Sequence, residues 1–432
     1  MRDFLSELDR TRELAHVRRE VSTRYEIPAV ASKLDGKPLL FEKVRESADY
    51  RVVAGVCSSR EILARAIGVE QGRLLPKILD SIENPKPFGT VKDAPCQEVV
   101  EEQVDLGRIP ILTQCEKDGG PYVTAGIAVA HDEEYGYNAS YHRLMVLGKD
   151  RVAARILPRH FDEFIKRGNR DVGITVGNHP AFLFASAVSC EIGKSELAIA
   201  NSLKEMTFVK CLGNNIVVPA DCELVLEGVV TDELVDEGPF PDIIGNYDIV
   251  RKQRVIRINR VTHRKNPIYQ AIMSGRMEHL FLMGTPREAT MLREVSKVCD
   301  CIDVRLTFGG SSWLHAVVKI RKRKDEDAKN AIEAAFRGHG SLKQVVVVDE
   351  DINIEDPNAV EWAIATRTQM DSDLSLRPGE FGSSLDPSAD QVTRKTCKVG
   401  IDATIPTGAS RDGFLKAKIP GEERVRVEDY LE

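Results

Sequence analysis

Between residues 106 and 285 one β-branched or alternating run follows another, and this stretch limits the fold more than any other feature of the chain. Val123 to Ala130, Ile174 to Val176, Cys222 to Val230 and Arg254 to Ile258 all read as strands, because such side chains suit a pleated, half-buried surface. Two helices interrupt them, one around Phe161 to Arg167 and one over Glu196 to Leu203 that Ser195 would cap. A β-rich domain with a pocket is therefore expected over residues 106–285. Before it, Val52 to Cys57 is a buried-strand run, and Ser58-Ser59-Arg60-Glu61 is a capping-box start for a helix over Ile62 to Ile67. Leu74 to Ile82 reads as a second helix ended by Asn84-Pro85, so residues 1–105 suggest a small α/β region.

After the β-rich stretch, Pro286 to Val298 has helical periodicity and predicts a connecting helix over 286–302. Leu314 to Ile320, Asp325 to Phe336, Gln344 to Val348 and Pro357 to Arg367 then alternate strand and helix, which predicts an α/β domain over 303–432. Asp371 to Asp390, rich in Ser, Asp, Pro and Gly, reads as a mobile connection. The tail ending at Glu432 is expected to dock on a neighbouring domain or subunit. The fold class is α/β (α+β).

At 432 residues the chain exceeds one ordinary core, and two or three domains are expected. A formal charge of −7, with no long basic run, argues against a nucleic-acid binder. No run approaches the roughly 18 apolar residues of a membrane helix, and the charged start Met1-Arg2-Asp3 has no signal-peptide core. A cytoplasmic protein without membrane insertion is expected. Its nine scattered cysteines read as reduced, buried small hydrophobes, and Cys299-Asp300-Cys301 lacks the spacing of a zinc or redox pair.

Chemistry concentrates in Glu237-Gly238-Pro239-Phe240-Pro241-Asp242, two carboxylates five apart on a segment that cannot continue a helix. Arg143 stands at the edge of the apolar run Leu144 to Leu147, and a guanidinium there demands a carboxylate, for which Glu237 is the candidate. Asp242 is then the second acid, and apolar walls from Ile243 and Ile244 would raise its pKa and make it a proton donor. Glu196 opens a helix, where a carboxylate already complements the dipole. Facing Asn138, it would supply hard oxygen ligands suited to Mg²⁺ or Mn²⁺, which His160 could join, with cofactor phosphate oxygens completing the shell. Gly193-Lys194-Ser195 lacks the earlier glycine of a phosphate loop, since position 188 is Val188, so nucleotide hydrolysis is excluded. Gly309-Gly310-Ser311-Ser312 reads as a turn and Asp349-Glu350-Asp351 as a solvated loop.

Asn138 to Arg143, the Glu237 to Asp242 acid pair, Asp118-Gly119-Gly120-Pro121-Tyr122-Val123-Thr124 and Lys398 to Thr404 together resemble the UbiD-like decarboxylases, in consistent order over nearly the whole chain. The resemblance implies a split β-barrel cofactor domain, a connecting helix and a C-terminal α/β domain used in homo-oligomerisation. It also implies prenylated FMN, supplied by a flavin prenyltransferase. Position by position, Asn138, Glu196 and His160 match the metal ligands, and Ala185, Ser186 and Val188 match backbone positions that hold potassium in some members. Tyr141, His142, Arg143, Arg155, Ile156, Leu157, Arg159, His160 and Lys398 match cofactor-contacting positions. Arg143, Glu237 and Asp242 match the network at the reacting centre, and Asp242 sets the chain apart from phenylacrylate-type members, whose final acid is Glu. The form Asp236 to Asp248 is most similar to the archaeal branch that includes the decarboxylase of trans-anhydromevalonate 5-phosphate. The rival expectation is a decarboxylase of a hydroxybenzoate, polyprenylated or not, in quinone synthesis; a flavin carrier without catalysis is a third. In each enzymatic reading a small carboxylate is the substrate.

Overall fold

The computed structural model describes residues 1–417 and 419–431; Glu432, where the expected C-terminal domain and tail end, lies outside the described residues. The chain forms two compact units, one of residues 1–290, 306–315 and 384–387, the other of 291–305, 316–383 and 388 onward.

In the first unit a four-stranded sheet runs in the order Ala15–Val17, Leu39–Phe41, Arg51–Ala54, Ile268–Gln270. The N-terminal region thus takes its last strand from far along the chain. Ile268 pairs with Arg51 and Gln270 with Val53, in parallel. Buried Glu223 fixes this return by accepting from the Ile268 N–H at 3.0 Å and from the Arg2 Nε at 2.8 Å. The helix Arg60–Ala66 is capped by the Ser59 side chain, which accepts from the Ile62 N–H. Glu61 lies too early in that helix to close the expected box. The second expected helix is Leu74–Glu83.

The nine-stranded sheet follows the order Tyr122–Val123, Leu144–Val146, Arg151–Ala154, Arg251–His263, Leu224–Glu237, Asp171–Val176, Ile127–Asp132, Gly136–Tyr141, with Val99–Glu101 added to Arg251–His263. Its two long central strands are antiparallel and bulged after Glu227 and Val230. Gly228 sits at the first bulge, where a Cβ would come within 2.3 Å of the Arg257 carbonyl oxygen; only glycine lets the two backbones approach so closely. Alternation places Ile174, Leu224, Leu226, Ile256 and Ile258 in one core. The helix Glu196–Leu203 forms as expected, but Ser195 makes no side-chain capping bond. The predicted helix at 286 begins earlier, running Met277–Ser296 straight through Pro286.

The second unit is built on a five-stranded sheet in the order Cys301–Leu306, His315–Ile320, Gln344–Asp349, Lys395–Ala403, Leu374–Phe381, with helices Glu326–Gly338 and Pro357–Arg367. The segment read as a mobile connection contains the strand Leu374–Phe381, antiparallel to Lys395–Ala403. The turn and loop composition flanking it masked its alternation. Of the acids read as a solvated loop, Glu350 and Asp351 are exposed but Asp349 is buried. Both aspartates grip the fully buried Arg367, Asp349 at 2.9 Å and Asp351 at 2.6 Å, and Arg367 also donates to the Phe414 carbonyl at 3.1 Å. The nine cysteines are free, and no described helix is long and apolar enough to cross a membrane.

Candidate active site

Glu237 is the last residue of its long strand, and the chain then turns through Gly238 and Pro239 into the short strand Phe240–Pro241. The turn is pinned from two sides. Gly119 donates to the Pro239 carbonyl at 2.9 Å and packs so tightly that a Cβ would lie 2.4 Å from the Gly238 carbonyl oxygen. From the other side the Ser274 hydroxyl donates to the Pro241 carbonyl at 2.9 Å.

The Glu237 carboxylate is fully buried and takes a fork from Arg143, Nε to Oε1 at 2.9 Å and Nη2 to Oε2 at 3.0 Å. The Tyr122 hydroxyl adds a third hydrogen bond at 3.0 Å. Arg143 Nη2 also reaches Asp248 at 3.1 Å, and Nη1 lies 4.0 Å from Asp242 Oδ2. Burial opposes the charge on Arg143, but Glu237, Asp248 and Asp242 outweigh it and raise its pKa. Asp248 is likewise held below its ordinary value because Arg251 and Arg143 overcome the cost of burial. Asp242 is not enclosed by apolar walls: its side chain is 31% exposed, and the Ile243 N–H donates to Oδ1 at 2.7 Å. That bond leaves Oδ2 for a proton or a ligand.

The segments carrying Tyr141 to Arg143 and Arg155 to His160 lie side by side. The Arg155 N–H donates to the Arg143 carbonyl at 3.1 Å, and His142 bonds the Arg155 carbonyl at 3.0 Å and the Ser140 hydroxyl at 3.0 Å. Burial drops the His142 pKa to about 4, so it is neutral at pH 7. The buried Tyr141 hydroxyl donates to the Leu183 carbonyl at 3.1 Å. Arg155 Nε is 3.7 Å from Asp248, and the Ile156 N–H donates to Gln253 at 3.1 Å. Leu157 and Arg159 are exposed and His160 half-exposed.

Asn138 and Glu196 meet, with the Asn138 Nδ2 3.2 Å from both carboxylate oxygens and the Ala139 N–H donating at 2.9 Å. The Cys190 thiol lies 3.3 Å from the same carboxylate. Glu196 is buried with no cationic partner among the described residues, and burial raises its pKa to about 7 despite these donors. No contact joins His160 to this pair, and no group of three or more His, Cys, Asp or Glu is gathered at one point among the described residues. Ala185 and Ser186 close the helix Pro180–Ala185, where the Ser186 hydroxyl donates back to the Phe182 carbonyl at 2.8 Å. Val188 is buried beside them. Lys398 stands on its strand in the second unit, buried, with Nζ donating to the Gly340 carbonyl at 2.6 Å.

Sequence reasoning assigned no role to Tyr122, Asp248, Arg251, Cys190 or His279. Two of these, Tyr122 and Asp248, lie inside motifs quoted for other residues, which was the available signal. The His279 ring accepts from the Gly275 N–H at 3.1 Å through Nδ1, which leaves the proton on Nε2. Burial lowers its pKa although Asp242 opposes this.

Comparison with known proteins matches this architecture throughout. Residues 5–82, 89–277 and 280–403 match the N-terminal, Rift-related and C-terminal domains of 3-octaprenyl-4-hydroxybenzoate carboxy-lyase. Anhydromevalonate phosphate decarboxylase from Methanosarcina mazei is 44% identical over 98% of this chain and 99% of that protein. The one from Methanocaldococcus jannaschii is 41% identical over 92% and 95%. Among solved structures, the UbiD-class enzyme HmfF from Pelotomaculum thermopropionicum in complex with FMN is 39% identical, with a TM-score of 0.96 over 100% of this chain and 99% of that one. An evolved dimeric form of HmfF with prFMN superposes with a TM-score of 0.91 at 38% identity, over 100% and 99%. With three consecutive domain matches and near-full-length relatives, the chain belongs to the UbiD family of carboxy-lyases.

Proposed function

We propose that this carboxy-lyase removes CO₂ from trans-anhydromevalonate 5-phosphate to give isopentenyl phosphate, with prenylated FMN as cofactor. The observation that carries the reading is the Arg143–Glu237–Asp242 constellation, in a chain whose near-full-length relatives bear the name anhydromevalonate phosphate decarboxylase. The hydroxybenzoate alternative draws on the names of the domain models and on solved 3,4-dihydroxybenzoic and vanillic acid decarboxylases that are 25–27% identical to this chain, against 38–44% for the curated anhydromevalonate phosphate decarboxylases.

The residues present fit a hard divalent cation, Mn²⁺ or Mg²⁺. Glu196 is a buried carboxylate whose charge no side chain offsets, and a buried charge of this kind calls for a cation. Asn138 would join it by turning its amide oxygen, now bonded by the Ser140 hydroxyl at 3.1 Å, toward the carboxylate. His160 and the cofactor phosphate would complete the shell, and the carbonyls near Ala185, Ser186 and Val188 would take K⁺. Tyr141, His142, Arg155, Ile156, Leu157 and Arg159 are the proposed cofactor contacts. A flavin prenyltransferase would supply the cofactor to a cytoplasmic homo-oligomer.

When bound, the prenylated flavin supplies the electron sink for the charge left on carbon as CO₂ departs. The chain's own residues do the rest. Glu237 and Asp248 occupy Nε and Nη2 of Arg143, which leaves Nη1 facing Asp242 and free to orient the substrate carboxylate. Asp242 delivers the proton of Oδ2 to the alkene carbon that has lost CO₂, and its partial exposure lets solvent restore that proton.

The test compares CO₂ release from trans-anhydromevalonate 5-phosphate and from 4-hydroxybenzoate by holoenzyme made with a flavin prenyltransferase. Only the phosphorylated acid should turn over. Asp242→Asn should keep its flavin spectrum and lose about 10²–10⁴ in kcat. Near-normal turnover by that variant would remove Asp242 from the mechanism.

A further inference from the structure

Asp242 stands on a segment with little means of holding itself. Two of the three residues before it, Pro239 and Pro241, have no amide hydrogen to donate, so their carbonyls carry the ties to segments remote in sequence. The Gly119 N–H donates to the Pro239 carbonyl at 2.9 Å and the Ser274 hydroxyl to the Pro241 carbonyl at 2.9 Å. A third tie reaches Tyr247, which pairs with Pro241: its hydroxyl accepts from the Lys117 N–H at 3.0 Å.

One side chain joins the segments that carry these donors. The Gln114 amide accepts from the Ser274 N–H at 2.9 Å through Oε1 and donates from Nε2 to the Ile272 carbonyl at 2.8 Å. On its own side, the Gln114 N–H donates to Asp118 Oδ2 at 2.9 Å, beside the Cys115 N–H at 2.8 Å. Those two bonds close the turn from 114 to 118, which presents Lys117 and leads into Gly119. Gln114 thus welds the turn that grips Pro239 and Tyr247 to the segment that grips Pro241. A leucine would fill the same half-buried volume, but only a carboxamide donates to a carbonyl and accepts from an amide at once. The linkage extends past Ser274. Gly275 lies against Gly245, where a Cβ would come within 3.2 Å of the Gly245 Cα, and Gly245 donates to the Asp242 carbonyl at 2.9 Å. A shift of the 272–275 segment is therefore passed to the turn that carries the acid.

We infer that Gln114 is a positioning residue for the proton transfer: by joining the two segments that grip Pro239 and Pro241, it fixes the height of the Asp242 carboxyl over the substrate carbon. It acts through Ser274 and the 114–118 turn rather than on the acid directly. A reacting group misplaced by ~1 Å loses on the order of 100-fold in rate. The inference rests on the functional reading above, because it serves the proton delivery assigned there to Asp242.

The experiment compares wild type, Gln114→Leu, Gln114→Glu and Ser274→Ala as holoenzyme on trans-anhydromevalonate 5-phosphate, in H₂O and in D₂O, with rates expressed per bound flavin. Gln114→Leu should keep its flavin, hold KM within about threefold and lose roughly 10- to 100-fold in kcat. Its solvent isotope effect on kcat should exceed that of the wild type, because a displaced acid makes protonation the slow step. Ser274→Ala, which cuts one of the two grips, should show a smaller loss of the same kind. In Gln114→Glu the carboxylate repels the Ile272 carbonyl and protonation restores a donor, so its kcat relative to wild type should rise as pH falls from about 7 toward 5. Unchanged kcat in Gln114→Leu overturns the assignment. So does a fall in kcat without a larger isotope effect, or with a KM that rises in step, because either marks a general loosening. If Gln114→Leu does not fold, Ser274→Ala and Gln114→Glu decide by the same measures. Should wild-type enzyme turn over neither acid, the functional reading fails separately. Hydrogen exchange at the Asp242 and Gly245 amides, bonded at 3.0 and 2.9 Å, then judges the linkage: faster exchange in Gln114→Leu upholds it and unaltered exchange ends it.

Discussion

Replacing Glu237 by Gln removes one negative charge from a fully buried site and changes the volume hardly at all. The carbonyl oxygen of the new side chain can still accept from Arg143 Nε and from Tyr122, now at 2.9 and 3.0 Å. Its amide nitrogen, however, would face Arg143 Nη2, a donor against a donor, where a 3.0 Å hydrogen bond stands in the wild type. Breaking a buried ion pair from one side costs about 3–5 kcal/mol. Asp248 still holds Nη2 at 3.1 Å, so roughly half to two-thirds of that loss, about 2–3 kcal/mol, should be felt. A two-unit chain need not unfold in one step, so the readout is local: hydrogen exchange at the amides of Leu224–Glu237. Protection there should fall roughly 30- to 150-fold. Tyr122→Phe, which deletes one neutral-to-charged hydrogen bond, should lose about 1–2 kcal/mol at the same amides. Protection in Glu237→Gln within a factor of two of wild type would mean that the fork carries no weight, and the account of how Arg143 is held would be wrong.

Glu196→Ala should release divalent metal and flavin together, measured by elemental analysis and absorbance; a variant that keeps stoichiometric metal refutes the site. Glu278 accepts from the Gly55 and Cys57 amides at 2.8 and 2.9 Å, and burial raises its pKa to about 7 from an ordinary 4.5. The folded state therefore keeps a proton that the unfolded chain has released. Wild-type stability relative to Glu278→Gln should thus fall by on the order of 3 kcal/mol as pH rises from 4.5 to 7 and stay level above; denaturation midpoints across that range check it, and a flat difference would refute it. In the second unit, Arg367→Met leaves Asp349 buried without its cation and should cost about 3–5 kcal/mol. Exchange should also rise at Phe414, whose carbonyl loses its donor; unaltered exchange there would refute the link.

How much could be seen in advance differs from residue to residue for physical reasons. Arg143 and Glu237 could be paired from sequence because a charge beside an apolar run must find its opposite. Asn138 and Glu196 could be set together by their shared ligand chemistry and then by the family pattern, since nothing local to either points 58 positions away. The polar surroundings of Asp242 were misjudged: Ile243 and Ile244 follow it, but Ile243 turns into the cluster with Leu280 and Trp313 rather than over the acid. The start of Met277–Ser296 was missed because Gly284 and Pro286 look like breakers. Gly284 is there because Ser312 packs where a Cβ would stand, 2.8 Å from its carbonyl oxygen.

The strand Ile268–Gln270 completes a sheet whose other three members are synthesised by residue 54. At 5–20 residues per second, a ribosome needs roughly 10–40 s to deliver the closing strand. Throughout that wait the outer edge of Arg51–Ala54 offers its amides and carbonyls to any passing extended chain. Chaperone demand in the cell, and inclusion bodies from any fragment cut between the two, should trace to this delay.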